Sequence, residues 1–407
     1  MIHGYSQLDW KLIGSVLALS VIGITLIMSA QYHATSSYEQ TYFLRQSLWL
    51  VLALIVFSVV IHMPLRLFDA AAYLLYGIAL VLLVAVLAFG SAKLSDARRF
   101  FTLGPINLAP SDVAKVALLL TLSRFFAYTK LPPNSKRRLS LSAMLTVVPA
   151  ALILKQPDLG TSLVFFVLLF VLWFWSGLSI GYLFLICSPL FSLIAASHWI
   201  AWALYILVLL VILFLVRPGL LLGIIAVVMN IAFGAVMPLL WDRLADYQKL
   251  RILVFLDPGR DPRGAGYQII QSKIAIGSGG LFGKGYLSGS QTKLDFTPER
   301  HTDFIFSVLG EEFGLWGSLL VLLLFSYVFY RAIRIAGRCR SKFASNVVMG
   351  AIGIIMFQFF VNIGMTLGLM PVTGLALPFV SYGGTALVLG WTLVGFIVVA
   401  ERHWQEY

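Results

Sequence analysis

Apolar residues fall in long uninterrupted runs along the chain, divided by short polar or basic segments. A helix needs about 20 mostly apolar residues to cross a bilayer. On that criterion the pattern predicts helices near 10 to 29, 46 to 62, 71 to 89, 111 to 128, 139 to 154 and 161 to 178. The next run, 180 to 240, is too long for one helix and is broken at Ser197-His198 and at Arg217-Pro218-Gly219. Charge and an imposed turn fit membrane interfaces there, so the run holds three helices. From Trp241 to Asp303 the chain turns rich in Asp, Arg, Lys, Gly and Pro. Such a segment cannot lie in hydrocarbon, and 241–303 is read as one large extramembrane loop. Three more spans, near 304 to 330, 345 to 369 and 376 to 400, complete the pattern. The expected fold is all-α, a polytopic membrane bundle of about twelve helices forming a single domain over residues 1–407.

Composition agrees with that picture and removes alternatives. The 407 residues are 60% hydrophobic and 11% charged, against about 25% charged in soluble domains, which excludes a soluble globular protein. The net charge of +12, from 29 Lys and Arg against 17 Asp and Glu, would elsewhere raise the question of nucleic acid. Here the basic residues gather in short loops, Lys130 to Arg138 and Arg331 to Lys342. That is the pattern of cytoplasmic loops lying against anionic membrane lipid, and nucleic acid is not an expected partner. Counting spans from these loops puts both termini in the cytoplasm and the 241–303 loop outside. The stretch from Trp10 to Met28 is long enough to be an uncleaved first span rather than a signal peptide. With only Cys187 and Cys339 present, a disulfide framework, a haem motif or a zinc site has no ligands.

The external segments carry the candidate chemistry. Glu299, Arg300, His301 and Asp303 lie within five positions at the mouth of an apolar helix, where falling dielectric shifts pKa values. They read as a general-base site or, equally, as a helix cap made by Thr302 or Asp303. Residues 267 to 276 have near-helical spacing and suit a short surface helix, carrying Lys273, that walls a groove open to lipid. The Gly277 to Gly285 run fails the phosphate-loop pattern and reads as a flexible turn. Asp112, Lys115 and Arg124 in the fourth span and Glu311 and Glu312 in the tenth belong in a water-filled cavity or in internal ion pairs. Arg99 and Phe100 suit either a lipid-linked diphosphate or interfacial anchoring. Asp158 heads a helix as a cap or a ligand, and Ser381 and Tyr382 sit in the last external turn, where small residues favour packing.

Taken together, these segments resemble the SEDS family (shape, elongation, division and sporulation), in its rod-shape branch rather than its division branch. The resemblance rests on Pro110-Ser-Asp-Val-Ala-Lys115, Gln156-Pro-Asp-Leu-Gly-Thr161, Gly264 to Gly280, Pro298-Glu-Arg-His-Thr-Asp-Phe-Ile-Phe306 and Pro378-Phe-Val-Ser-Tyr-Gly-Gly384. It covers nearly the whole chain in the family's order, and Arg300 before His301 favours the rod-shape branch. The resemblance implies a peptidoglycan glycosyltransferase of cell elongation, multi-pass in the bacterial cytoplasmic (inner) membrane, with its active site on the outer face. Lipid II and undecaprenyl-diphosphate-linked glycan are the implied substrates and a class B penicillin-binding protein the implied partner. It implies Asp303 as the catalytic aspartate, with Asp112, Lys115 and Arg99 at the family's other motif positions. Phe100, Asp158, Lys273, Glu299, Arg300, His301, Glu311, Ser381 and Tyr382 complete the substrate-binding candidates. A divalent cation such as Mg is a candidate aid to the diphosphate, and no organic cofactor is expected.

Three departures stand out. Asp112 replaces the family's usual glutamate, Phe100 replaces a common tryptophan, and 180–240 exceeds the family's ten-helix plan by about two spans. A lipid II flippase is the alternative function, since intramembrane Asp112, Lys115, Arg124 and Glu311 also suit a carrier. A third reading is a non-catalytic scaffold for the crosslinking partner.

Overall fold

Where no water reaches the backbone, each apolar run must close its amide hydrogen bonds on itself, and helices do this. The computed structural model describes residues 8–32, 41–90, 99–103, 106–243, 249–250, 253–255, 257–262, 264, 266–290 and 300–402. Its first half comprises α1 (Trp10–Gln31), α2 (Tyr42–His62), α3 (Leu65–Phe89), α4 (Pro110–Tyr128), α5 (Lys136–Leu154) and α6 (Leu159–Trp175). There follow α7 (Ile180–Ala195), α8 (Trp199–Val216), α9 (Leu220–Arg243), α10 (Tyr267–Gly279), α11 (Ile305–Arg338), α12 (Lys342–Thr366) and α13 (Gly384–Arg402). Among the described residues, nine of these are long and apolar enough to cross a membrane. The apolar α6 and α7 are shorter, and α4 carries Asp112, Lys115 and Arg124. With them the hydrophobic helices reach the twelve expected. One element departs from the all-helical expectation: β1 (Phe101–Leu103) pairs antiparallel with β2 (Ile106–Leu108), Phe101 opposite Leu108.

The core forms around α12, which packs on α4, α6, α11 and α13. Small residues permit that closeness: a side chain at Gly350 would strike Leu119 and Leu168, and one at Gly353 would strike Val171. On the far side of α13, Gly395 accommodates Val60 and Phe57 of α2. The α7, α8 and α9 helices pack mainly on one another and meet the bundle where α6 touches α7. These three helices thus form a peripheral unit.

Contacts at the helix ends define two faces. On one, Arg331 bonds Asp9 and Glu401, Arg138 donates to the Ser176 carbonyl, and Arg124 pairs with Asp69 at 3.3 Å. On the other, the end of α1 meets the start of α2 through Gln31 and Phe43, and the start of α2 meets the loop before α13.

The tenth span corrects an expectation. It is not one straight helix from 304 to 330, because Gly314 breaks it with φ 63° and ψ −154°. A backbone in that region favours glycine, and the neighbouring chain needs the space: a Cβ there would meet the backbone of Leu281 and Gly283. The 280–285 segment fills the break, with Leu315 N–H donating to the Gly280 carbonyl and Lys284 and Gly285 N–H to those of Glu311 and Glu312. The glycine run from Gly277 therefore ends α10, as expected, but is held by backbone pairing.

Candidate functional site

Asp303 lies just ahead of α11, half-buried, on the face opposite the Arg331 cluster. The N-cap position belongs to Phe304, one residue beyond Asp303, and the Phe304 side chain makes no cap bond. Its backbone is held from several sides. Asn362, buried in α12, donates its amide to the Asp303 carbonyl at 2.9 Å and to the Leu375 carbonyl at 2.8 Å. Ser381 donates its hydroxyl to the Thr302 carbonyl at 2.6 Å, and Tyr382 N–H donates to that of His301 at 2.9 Å. Behind them buried Gln46 of α2 donates to the Ser381 carbonyl and accepts from Gly383 N–H, both at 3.2 Å. The His301 ring stacks on Tyr42 with centroids 4.6 Å apart, and Tyr382 lies 4.6 Å from the same tyrosine.

The carboxylate faces the loop that leads to α13. A Cβ built on Gly374, whose φ is 73°, would stand 3.7 Å from Asp303 Oδ2. The same loop touches α6, where a side chain at Gly160 would strike the Thr373 carbonyl. At the head of α6, Asp158 accepts from Thr161 N–H at 2.9 Å and so serves as the cap. Arg99 donates to the carbonyls of Gln156 and Pro157 at 2.9 and 2.7 Å. A continuous chain of contacts thus links Asp303, the 373–375 loop, the α6 head and Arg99, with half-buried Phe100 next in sequence. Buried Gln156 adds an amide nitrogen without a hydrogen-bond partner among the described residues.

The other candidates divide. Lys115 and Asp112 close on each other at 2.8 Å in the first turns of α4, both largely buried, so the internal ion pair open in the sequence is formed. Arg124 pairs with Asp69 on the opposite face. Fully buried Glu311 bonds Lys284 at 2.8 Å and Ser290 at 3.0 Å, and Glu312 accepts from Ser29 of α1. These two carboxylates therefore fasten the 280–290 segment to α11 and α1. Burial and the Glu312 charge push the Tyr286 phenol up in the same segment. Lys273 is exposed on α10, its stem passing over Gly368 beyond the end of α12, while Ser272 ties α10 to the Thr366 carbonyl at 2.8 Å. Arg300 is buried, and Glu299 lies outside the described residues.

Sequence reading missed Gln46, Asn362 and Tyr42. The first two had a usable signal, since an amide inside an apolar run must find partners in the bundle. Tyr42 had none, because its role depends on rings brought from two distant segments.

Residues 9–205 and 200–406 both match the FTSW_RODA_SPOVE family, described as Cell cycle protein. The peptidoglycan glycosyltransferase MrdB of Escherichia coli (strain K12) is 40% identical over 400 residues, covering 98% of this chain and 94% of that protein. The peptidoglycan glycosyltransferase RodA of Treponema pallidum (strain Nichols) is 32% identical, covering 96% of each. Among solved structures, a chain of a peptidoglycan synthase complex that coordinates polymerization and crosslinking has a TM-score of 0.72 at 32% identity, covering 99% of this chain and 100% of its own. The rod shape determining protein RodA of Thermus thermophilus has a TM-score of 0.65 at 28% identity, with 98% and 99% covered.

Proposed function

The chain belongs to the FtsW, RodA and SpoVE family, and from that premise we propose that Asp303 is the general base with which it polymerises lipid II. It is a multi-pass membrane protein and a peptidoglycan glycosyltransferase. The observation that carries the base assignment is a half-buried carboxylate at the mouth of α11, its backbone clamped by Asn362 and Ser381 and its Oδ2 beside Gly374.

In the proposed step, a sugar hydroxyl of lipid II gives its proton to Asp303 as its oxygen bonds the anomeric carbon of the growing glycan. The bond from that carbon to the undecaprenyl diphosphate breaks, and its electron pair leaves on the diphosphate. One displacement inverts the anomeric centre. Arg99 retains N–H donors beyond the two given to backbone carbonyls and offsets the leaving charge. Among the described residues no three His, Cys, Asp or Glu side chains gather as a metal cage. A divalent cation such as Mg fits this chain as an ion carried on the diphosphate, which asks for few protein carboxylates.

The basic loops support placing the Asp303 face outside the bacterial inner membrane and both termini inside, because Arg138 and Arg331 lie on the opposite face. The similarity to a chain of a peptidoglycan synthase complex supports a class B penicillin-binding protein as partner. The carrier alternative loses its main support, since Asp112 and Lys115 satisfy each other and Arg124 pairs elsewhere. Detergent-solubilised protein given lipid II tests the assignment without any need for transport. Wild type should form glycan chains, and Asp303→Asn should slow their formation roughly 10²–10⁴-fold. Normal polymerisation by that variant rejects the base.

A further inference from the structure

Helix α11 is two helices joined at Gly314. From Leu315 to Arg338 it rises about 36 Å, more than the roughly 30 Å of hydrocarbon to be crossed. The short piece from Ile305 to Phe313 is therefore not needed for the span. Its far end stays on the Asp303 face, because Glu312 accepts from Ser29 in the last turn of α1. The short piece carries Asp303 at its mouth, so whatever sets its direction at the break also aims the carboxylate.

The segment that fills the break grips both pieces at once. Lys284 and Gly285 N–H donate to the Glu311 and Glu312 carbonyls of the short piece, both at 3.0 Å. Leu315 and Trp316 N–H of the long piece donate to the Gly280 and Leu281 carbonyls at 3.0 and 3.3 Å. The backbones lie so close that a Cβ on Gly279 would strike the Gly310 carbonyl, and one on Gly283 that of Glu312. Side chains then close the joint: Lys284 Nζ bonds Glu311 Oε1 at 2.8 Å and Ser290 at 2.7 Å, and the Ser290 hydroxyl donates to the same Glu311 oxygen at 3.0 Å. A buried ion pair adds little stability over apolar residues of the same size. What it adds here is one geometry, since charged hydrogen bonds fix both distance and direction. We propose that Lys284 and Glu311 are positioning residues for glycosyl transfer, their pair locking the joint at Gly314 at the angle that aims Asp303. The inference rests on Asp303 as the base.

The test measures kcat and KM for lipid II polymerisation by the full-length protein in detergent, for wild type, Glu311→Gln, Asp303→Asn and the double variant. Glu311→Gln keeps the size of the side chain, and the partly exposed Lys284 can still reach water. A carboxylate misplaced by about 1 Å should lower kcat roughly 10²-fold with KM little changed. In the Asp303→Asn background the same substitution should cause no further loss, because the group it aims is gone. Should Glu311→Gln not fold, Ser290→Ala removes one bond to Glu311 without touching a charge and runs the same cycle, with a smaller loss of kcat expected. An unchanged kcat in the folded variant, or an equal fold-loss in both backgrounds, overturns the proposal. The second of these, with Asp303→Asn itself slow, sinks the positioning role and spares the base. Wild-type polymerisation by Asp303→Asn removes the base and this inference with it.

Discussion

Helices α8 and α12 are both apolar and long enough to cross a membrane, yet they occupy opposite environments. The α8 sequence has no charged residue and no polar amide, and Leu209 alone among its residues is buried. The α12 helix contains Asn346, Gln358 and Asn362 and buries all three, along with most of its length. In a bilayer the most uniformly apolar helix is the one with most surface in lipid, and polar residues mark the interior. Function follows the same division: α12 supplies the amide that holds Asp303, whereas α8 packs mainly within the peripheral α7–α9 unit.

Four substitutions, two of them combined, sharpen the contrast between interior and periphery. Lys115→Met, in the α4 helix that packs on α12, leaves Asp112 as an uncompensated buried charge and should cost about 3–5 kcal/mol. Adding Asp112→Leu should recover most of that loss, read as thermal unfolding in detergent. Equal stability of the single and double variants breaks the ion-pair reading. Asn362→Leu leaves the Asp303 and Leu375 carbonyls without their donor and should cost about 1–3 kcal/mol. Polymerisation should also drop at least about tenfold, because the carboxylate is no longer aimed; full activity with lowered stability makes Asn362 merely structural. Asn230→Leu, which removes the amide that bonds Ser188 at 2.7 Å in the peripheral unit, should cost about 0.6–2 kcal/mol and leave polymerisation unchanged. A large activity loss there would erase the distinction between the two regions.

Much of this architecture was legible in the amino-acid sequence, because hydrocarbon imposes one length and one composition on every span. The spanning helices, including the three within 180–243, follow from that constraint, and the short helix from Tyr267 follows from its near-helical spacing. The break at Gly314 did not, since glycines at 310, 314 and 317 are as often packing residues as bends, and only the docked 280–285 segment decides. The partner of Glu311 was equally hidden, because Lys284 reaches it through the fold across 27 positions. At the site, residue chemistry left Asp303 divided between cap and base, and family resemblance favoured the base. In the fold Phe304 takes the N-cap position, and Asp303 sits one residue before it with its backbone held by Asn362. Asp112 and Asp158 went the other way, into an ion pair and a cap, roles that any acid near a helix start can take.

The central claim is that the Asp303 carboxylate accepts the hydroxyl proton, and the acid side of the pH–rate profile tests it most directly. Lipid II polymerisation is measured as kcat/KM against pH for wild type and for Asp303→Asn. A base must be deprotonated to act, so the wild-type rate should fall as pH drops through its titration. The residual rate of Asp303→Asn should be far lower and should lack that limb. An Asp303→Asn protein that keeps both the wild-type rate and its acid limb would contradict the account.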